Sequence, residues 1–336
     1  MEIEIFTDET FIVDKKTNTE YLGIGCLFVP TSFKKEFVDK LLELRCMNEN
    51  SNTWHWDFKN CLNSKAKLCK EKWHKLNNKE IHYKELREKS PHPLKEISKR
   101  WIKFLLQHNQ NYSDKNKLIY FKILYIDLKK LDKTFFGNEE TDNIVYNRFY
   151  RMVILGAKNF FFKDEKFIIK EFFHDKSSEK ELSNIFPWNT PNKLDKIEDV
   201  DIQKDTITFI DSNHNNYAYE KFKKNAQFIQ FIDLILGCTN QILFQPSKAK
   251  IKNEISNIYY PLFKKIWEEP NNKNSHLNFY RKQDVSIFPK EKMDYRINLY
   301  GEKIRVEGKF HRNIKIKKPV NENKNETLDN YFTKNI

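Results

Sequence analysis

Glu2-Ile3-Glu4-Ile5-Phe6-Thr7-Asp8 alternates polar with apolar residues and ends in a carboxylate; a polar stretch at 14–19 separates it from a second β-rich run, 21–29, containing Gly23 and Gly25. Alternation of this kind marks a half-buried strand, and two such runs around a polar break mark a hairpin. Downstream, the apolar period changes repeatedly. Residues 33–46 and 93–108 space their apolar side chains as helices do, and 118–126 is an apolar run of strand length. Helical spacing returns at 141–162, a β-like run follows at 167–173, and 177–185 is expected as a helix. A strand at 206–210 and a long apolar helix at 226–244 complete the series. Strands interleaved with helices imply an α/β layered domain over residues 1–245. A basic C-terminal extension at 246–320 follows, with a helix at 251–267 and seven basic residues against one acidic between Lys303 and Lys318, and then a flexible tail at 321–336.

The chain has 336 residues, 28 Phe and 15 Tyr, enough for a packed interior. A formal net charge of +13 fits a polyanionic partner, but with 51 Lys against nine Arg it equally fits the composition an AT-rich genome imposes; both readings stand. Five cysteines without a C-x-x-C pair are read as reduced thiols, with no zinc site expected. The N-terminus opens directly into strand-like sequence, and apolar runs such as 228–236 are interrupted by Gln230 and Asp233, so neither a signal peptide nor a membrane span is expected and the location is taken as cytoplasmic.

Four apolar, strand-like runs end in a carboxylate, at Asp8, Asp127, Asp175 and Asp211. Asp is a common turn residue, so each alone is ordinary. If several of these strands run parallel, their ends form one acidic edge, where α/β sheets hold ligands. The stretch Gln227-Phe228-Ile229-Gln230-Phe231-Ile232-Asp233-Leu234-Ile235-Leu236-Gly237 is apolar in nearly every direction around a helix, with Gln230 and Asp233 on one face. A carboxylate buried there needs a cation, a metal, hydrogen bonds or a proton.

Asp8-Glu9-Thr10, Gly23-Ile24-Gly25, Ile81-His82-Tyr83-Lys84-Glu85-Leu86, Phe209-Ile210-Asp211-Ser212 and Gln230-x-x-Asp233 together resemble domain of unknown function 3800, over about residues 1–245. Thr10-Phe11 stands where that family more often has Ser-Gly. The resemblance implies a ribonuclease H-like mixed sheet flanked by helices and a nuclease that holds two Mg²⁺ or Mn²⁺ ions with Asp8, Asp175 and Asp233. It places Glu9 and Asp211 as further ligands and Asp127 behind them, with Gln230 orienting Asp233 or a substrate phosphate. His82 is read two ways, as a proton shuttle or phosphate contact and as a hydrogen-bonded structural residue. The alternative function is a non-catalytic nucleic-acid-binding or adaptor protein on the same fold.

No G-x-x-x-x-G-K-[ST], G-x-G-x-x-G or G-x-S-x-G motif is present, which argues against a nucleotide-driven motor and a serine hydrolase. Trp54-His55-Trp56-Asp57 is read first as the cap of a small core and second as a base-stacking element. The tail resembles a clamp-binding peptide of the PIP-box type through Leu328, Tyr331 and Phe332, with Asn325 where Gln is usual. That implies a sliding clamp as partner.

Overall fold

The computed structural model describes residues 1–46, 54–111, 114–131, 142–163, 165–176, 190–268, 282–288, 294–297 and 303–306. The helix expected at 177–185, the tail with Leu328, Tyr331 and Phe332, and most of the basic run after Val306 lie outside them. The opening hairpin forms as the alternation requires, from β1 (Glu2–Asp14) and β2 (Thr19–Pro30). Asp14 shapes its turn: Oδ1 accepts from Lys16 N (3.0 Å), Oδ2 from the Thr17 hydroxyl (3.1 Å), and Asn18 takes a left-handed φ of 50°.

The remaining elements are α1 (Lys34–Glu43), α2 (Leu62–Lys65), α3 (Glu71–Asn77), α4 (His92–Asn111), β3 (Tyr120–Asp127), α5 (Asp142–Phe161), β4 (Phe167–Asp175), α6 (Thr190–Leu194), β5 (Val200–Ile202), β6 (Ile207–Ile210), α7 (Glu220–Phe244), α8 (Lys250–Glu268) and β7 (Gln283–Phe288). A separate antiparallel pair joins β8 (Asp294–Ile297) to β9 (Lys303–Val306). The protein is α/β, built on a mixed seven-stranded sheet in the order β5-β4-β1-β2-β3-β7, with β6 also paired to β4. Strands β1, β2 and β3 are antiparallel neighbours; β4 runs parallel to β1, β5 and β6 parallel to β4, and β7 parallel to β3.

Each face of the sheet is covered. On one, α1, α4, α7 and α8 bury a core that includes Phe6, Phe37, Trp101, Phe228 and Phe231; on the other, α5 closes with Tyr146 and Tyr150 over Ile3, Ile5 and Phe172. Phe6 stacks on Phe173 (4.7 Å between centroids) and meets Phe228 of α7 at 4.6 Å. Each such aromatic contributes about 1.5–3 kcal/mol through burial. Helix α7 is long and apolar enough to cross a membrane by length and composition, more so than its interrupted apolar runs suggest, yet 94% of its most apolar window is buried inside the protein.

Within 246–320, expected as an extension, two described elements contribute to the core: α8 packs on α4 and α7, and β7 extends the sheet beside β3. Lys122 of β3 and Asp284 of β7 form an ion pair, both all but fully buried. Gly156 leaves room for it, since a Cβ there would stand 2.7 Å from Lys122 Cε.

Candidate metal centre

At this edge two of the carboxylate-terminated runs end where they were expected to, at the ends of β4 and β6, whereas β1 continues six residues past Asp8 to Asp14. The register pairs Thr7 with His174 and Asp175 with Ile210, so Asp8, midway along β1 where its pairing with β4 stops, lies next to Asp175 and Asp211, which follow at the ends of β4 and β6. Strand alternation then sorts their neighbours. Phe6 meets Phe228, and Thr10 Oγ1 accepts from Asn240 Nδ2 (3.5 Å), so Asp8 between them faces α7. Thr7 faces α5 through the Tyr150 hydroxyl (3.2 Å), and so does Glu9, whose Oε2 stands 3.5 Å from His174 Nε2.

Helix α7 brings Asp233 to this edge. Gly25 is the β2 partner of Asp8, and a Cβ there would approach Ile232 Cγ1 to 3.2 Å, so the bare strand lets the helix lie close. Asp233 Oδ2 accepts from Tyr83 N (2.7 Å) and pairs with His82 Nδ1 (3.1 Å). One turn further along α7, Gly237 provides a seat for the Tyr83 ring, whose Cγ lies 2.1 Å from where a Cβ would be. The 82–83 segment reaches Asp233 because position 237 carries no side chain.

The carboxyls feel one another. Burial, reinforced by Asp175, Asp233 and Glu9, raises the Asp8 carboxyl well above the usual range. Burial and Asp233 push Asp175 up to about 7, with Glu80 and Asp211 acting in the same sense. The hydrogen bond to Asp233 raises His82 to about 9, so it is a cation at neutral pH. His174, fully buried, is pushed down to about 4 and stays neutral; its ring bonds the Tyr146 hydroxyl (2.8 Å) and the Asp175 carbonyl (2.8 Å).

Three residues are engaged otherwise than expected. Gln230 neither orients Asp233 nor faces a substrate; it is fully buried and ties three segments together. Its Oε1 accepts from Arg45 Nη2 (2.5 Å) and Ile81 N (3.1 Å), while Nε2 donates to the Ser212 carbonyl (2.5 Å) and lies 3.1 Å from His214 Nδ1. Arg45, itself wholly buried and pushed down to about 9 by burial, also donates to Gln227 and to the carbonyls of Asn77 and Lys79. Asp127 is far from the edge: its β2 partner Tyr21 is also the partner of Ile12, four residues past Asp8, and its carboxylate caps the backbone of Lys129 and Lys130. Asp211 sits at the edge but commits its oxygens to shaping its loop, accepting from Asn213 N (2.8 Å) and Asn216 Nδ2 (2.6 Å).

Sequence reasoning missed Glu80 and the two seats at Gly237 and Arg45. Glu80 accepts from the Ser212 hydroxyl (2.6 Å), and burial raises its carboxyl. Its signal was spacing: in an extended segment, residues 80 and 82 share a side. No family model matches the chain, and no curated protein or solved structure matches it.

Among the described residues no three His, Cys, Asp or Glu side chains form a ready-made metal cluster. Asp233 is turned toward His82 and Tyr83, and the His82 cation offsets only part of the repulsion among the crowded carboxylates. The donor set nevertheless suits a hard divalent cation: Asp8 and Asp175 are carboxylates on adjacent parallel strands, just past their last paired residues, and Asp175 Oδ1 is buried with no hydrogen-bond partner. A buried carboxylate oxygen left unsatisfied costs about 1–3 kcal/mol or more, a cost a bound cation removes.

Proposed function

We propose that this protein is a metal-dependent nuclease of ribonuclease H-like fold, similar to domain of unknown function 3800, acting on a nucleic-acid phosphodiester in the cytoplasm. The observation that carries the reading is the convergence of Asp8, Asp175 and Asp233 from the first strand, a later strand and the long core helix, with Asp175 Oδ1 buried and unpaired. Asp8, Asp175 and Asp233 are the residues to hold Mg²⁺ or Mn²⁺. Two such ions supply activation of water and stabilisation of the leaving oxygen. Glu9 and Glu80 add negative charge around the carboxylates, Asp211 shapes the adjoining loop, and His82, a cation beside Asp233, is placed to meet a phosphate oxygen or move a proton. Arg45 and Gln230 hold the segments that carry Glu80, His82 and Ser212 in register. The tail residues Leu328, Tyr331 and Phe332 extend the proposal to docking on a sliding clamp.

The test is cleavage of labelled DNA and RNA by the full chain with Mg²⁺, Mn²⁺ or EDTA, beside Asp8→Asn, Asp175→Asn and Asp233→Asn. Turnover that requires metal and falls by two orders of magnitude or more in each variant is expected. One observation favours the second reading, a nucleic-acid-binding protein without catalysis: Asp233 already spends Oδ2 on Tyr83 N and His82. Binding without turnover under every metal establishes that reading instead.

A further inference from the structure

Residues 54–79 are joined to the carboxylate edge at their C-terminal end and carry a surface the site itself does not use. Seven lysines between Lys59 and Lys79 are all exposed, against the single acid Glu71, which pairs with Lys75 at 2.8 Å. Three apolar side chains stand open among them: Leu62 (56% exposed), Leu68 (53%) and Trp73 (47%). The other two tryptophans of the segment are half-buried and engaged in packing. Trp54 stacks on His74 at 4.4 Å and Trp56 packs against His214 at 4.9 Å, so the capping reading of 54–57 is the one the packing supports. On α3, His74 and Asn77 are buried while Trp73 points out, so the helix anchors through one face and presents a tryptophan on the other.

The segment is also fixed relative to the edge. Arg45 holds the Asn77 and Lys79 carbonyls, Asn78 exchanges hydrogen bonds with Asn215 (3.0 and 2.9 Å) and meets His214 (3.1 Å), and Glu80 binds Ser212. A carboxylate edge repels a polyanion, and a lysine-rich surface fastened beside it supplies the opposing attraction. An exposed indole offers a face for stacking to any unpaired base, whereas the bases of a duplex are already stacked on one another.

We propose that residues 54–79 form a platform for single-stranded nucleic acid, with Trp73 stacking on a base and the lysines on phosphates, leading the strand to the carboxylates. The proposal rests on the nucleic-acid reading of that edge and names the strand state it takes. The experiment measures anisotropy of labelled single-stranded and duplex 20-mers with the full chain in EDTA, across a salt series, for wild type, Trp73→Ala and the triple variant Lys65→Gln/Lys70→Gln/Lys72→Gln. Trp73→Ala is expected to weaken single-strand binding about 5- to 150-fold, with duplex binding changed less than about 2-fold. The triple variant is expected to flatten the salt slope by up to about 2. Far-ultraviolet dichroism on both variants confirms that they fold. Unchanged single-strand binding in Trp73→Ala, no binding at all, or equal Trp73-dependent binding to duplex or to phosphatidylserine vesicles overturns the proposal. Cleavage separates the two claims: metal-dependent turnover with unaltered Trp73→Ala binding sinks the platform and keeps the nuclease, and Trp73-dependent binding without turnover does the reverse.

Discussion

Gly237→Ala should destabilise the protein, although helix propensity taken alone predicts the opposite. Alanine in place of a mid-helix glycine stabilises by about 1 kcal/mol. Here the new methyl would stand 2.1 Å from Tyr83 Cγ, 2.2 Å from Cδ1 and 2.7 Å from Cβ. These are the near atoms of a rigid ring on a buried residue, so no rotamer relieves the clash and the 82–83 backbone must withdraw by roughly 1.5 Å to restore an ordinary carbon contact. That withdrawal carries Tyr83 N out of hydrogen-bond range of Asp233 Oδ2, now 2.7 Å away. Overpacking costs about 1–3 kcal/mol, and a lost hydrogen bond to a charged group costs about 1.5–3 kcal/mol. After the propensity gain, a net loss of about 1.5–5 kcal/mol is expected, read from the urea midpoint at unchanged m-value. Tyr83→Ala in the same chain should recover part of it, because the two changes share one contact. A Gly237→Ala protein that is more stable than wild type, or a double variant with purely additive losses, would refute the reasoning.

Other expectations follow from the same packing. In EDTA, stability should fall as pH rises from 5 to 8: Asp175 holds its proton up to about 7 in the folded chain against 3.8 ordinarily, so its contribution is complete below 3.8 and lost through 7, a swing of up to about 4 kcal/mol. His82, raised to about 9 from 6.5, acts in the same direction, present below 6.5 and lost through 9. Asp175→Asn should flatten the profile, and Mg²⁺ at pH 8 should restore wild-type stability; a flat wild-type profile in urea titrations would count against the cluster. Asp284→Ala strands the Lys122 ammonium in the interior and should cost about 3–5 kcal/mol in urea unfolding, whereas a loss under 1 kcal/mol would mean the pair is not buried in solution. Gln230→Leu leaves Arg45 without one of its acceptors and should lower stability by about 1–3 kcal/mol. On the proposed nuclease reading it should also lower kcat more than it raises KM, while equal effects on both would argue against a positioning role.

Long elements were legible because their apolar periods are long. Helices at 34–43, 92–111, 142–161, 220–244 and 250–268 and the strands of the hairpin match the spacing read from the residues. Strand β7 escaped because its Gln283, Asp284 and Ser286 are polar yet buried: pairing with β3 brings them inside, where Asp284 meets Lys122, 162 residues earlier, and Gln283 donates to the Ile119 carbonyl. Helices α2 and α3 are too short to show a period within a polar stretch. At the site, Asp175 was readable as a carboxylate at a strand end and Asp233 as one on a buried helix face, whereas Asp8, read as the end of its run, lies midway along β1. The true use of Gln230 was not, because it depends on an arginine 185 residues away.

The pairing of β3 with β7 has a kinetic consequence. Phe121 meets Gln283, so on a ribosome adding about 5–20 residues per second the edge of β3 waits roughly 8–32 s after its own synthesis for the strand that covers it. Throughout that interval a nascent chain carries an uncovered strand edge and an ammonium without its counter-ion. A stop codon anywhere before residue 283 makes that interval permanent, so truncated products are expected to be captured by chaperones or to aggregate rather than persist as a smaller folded protein.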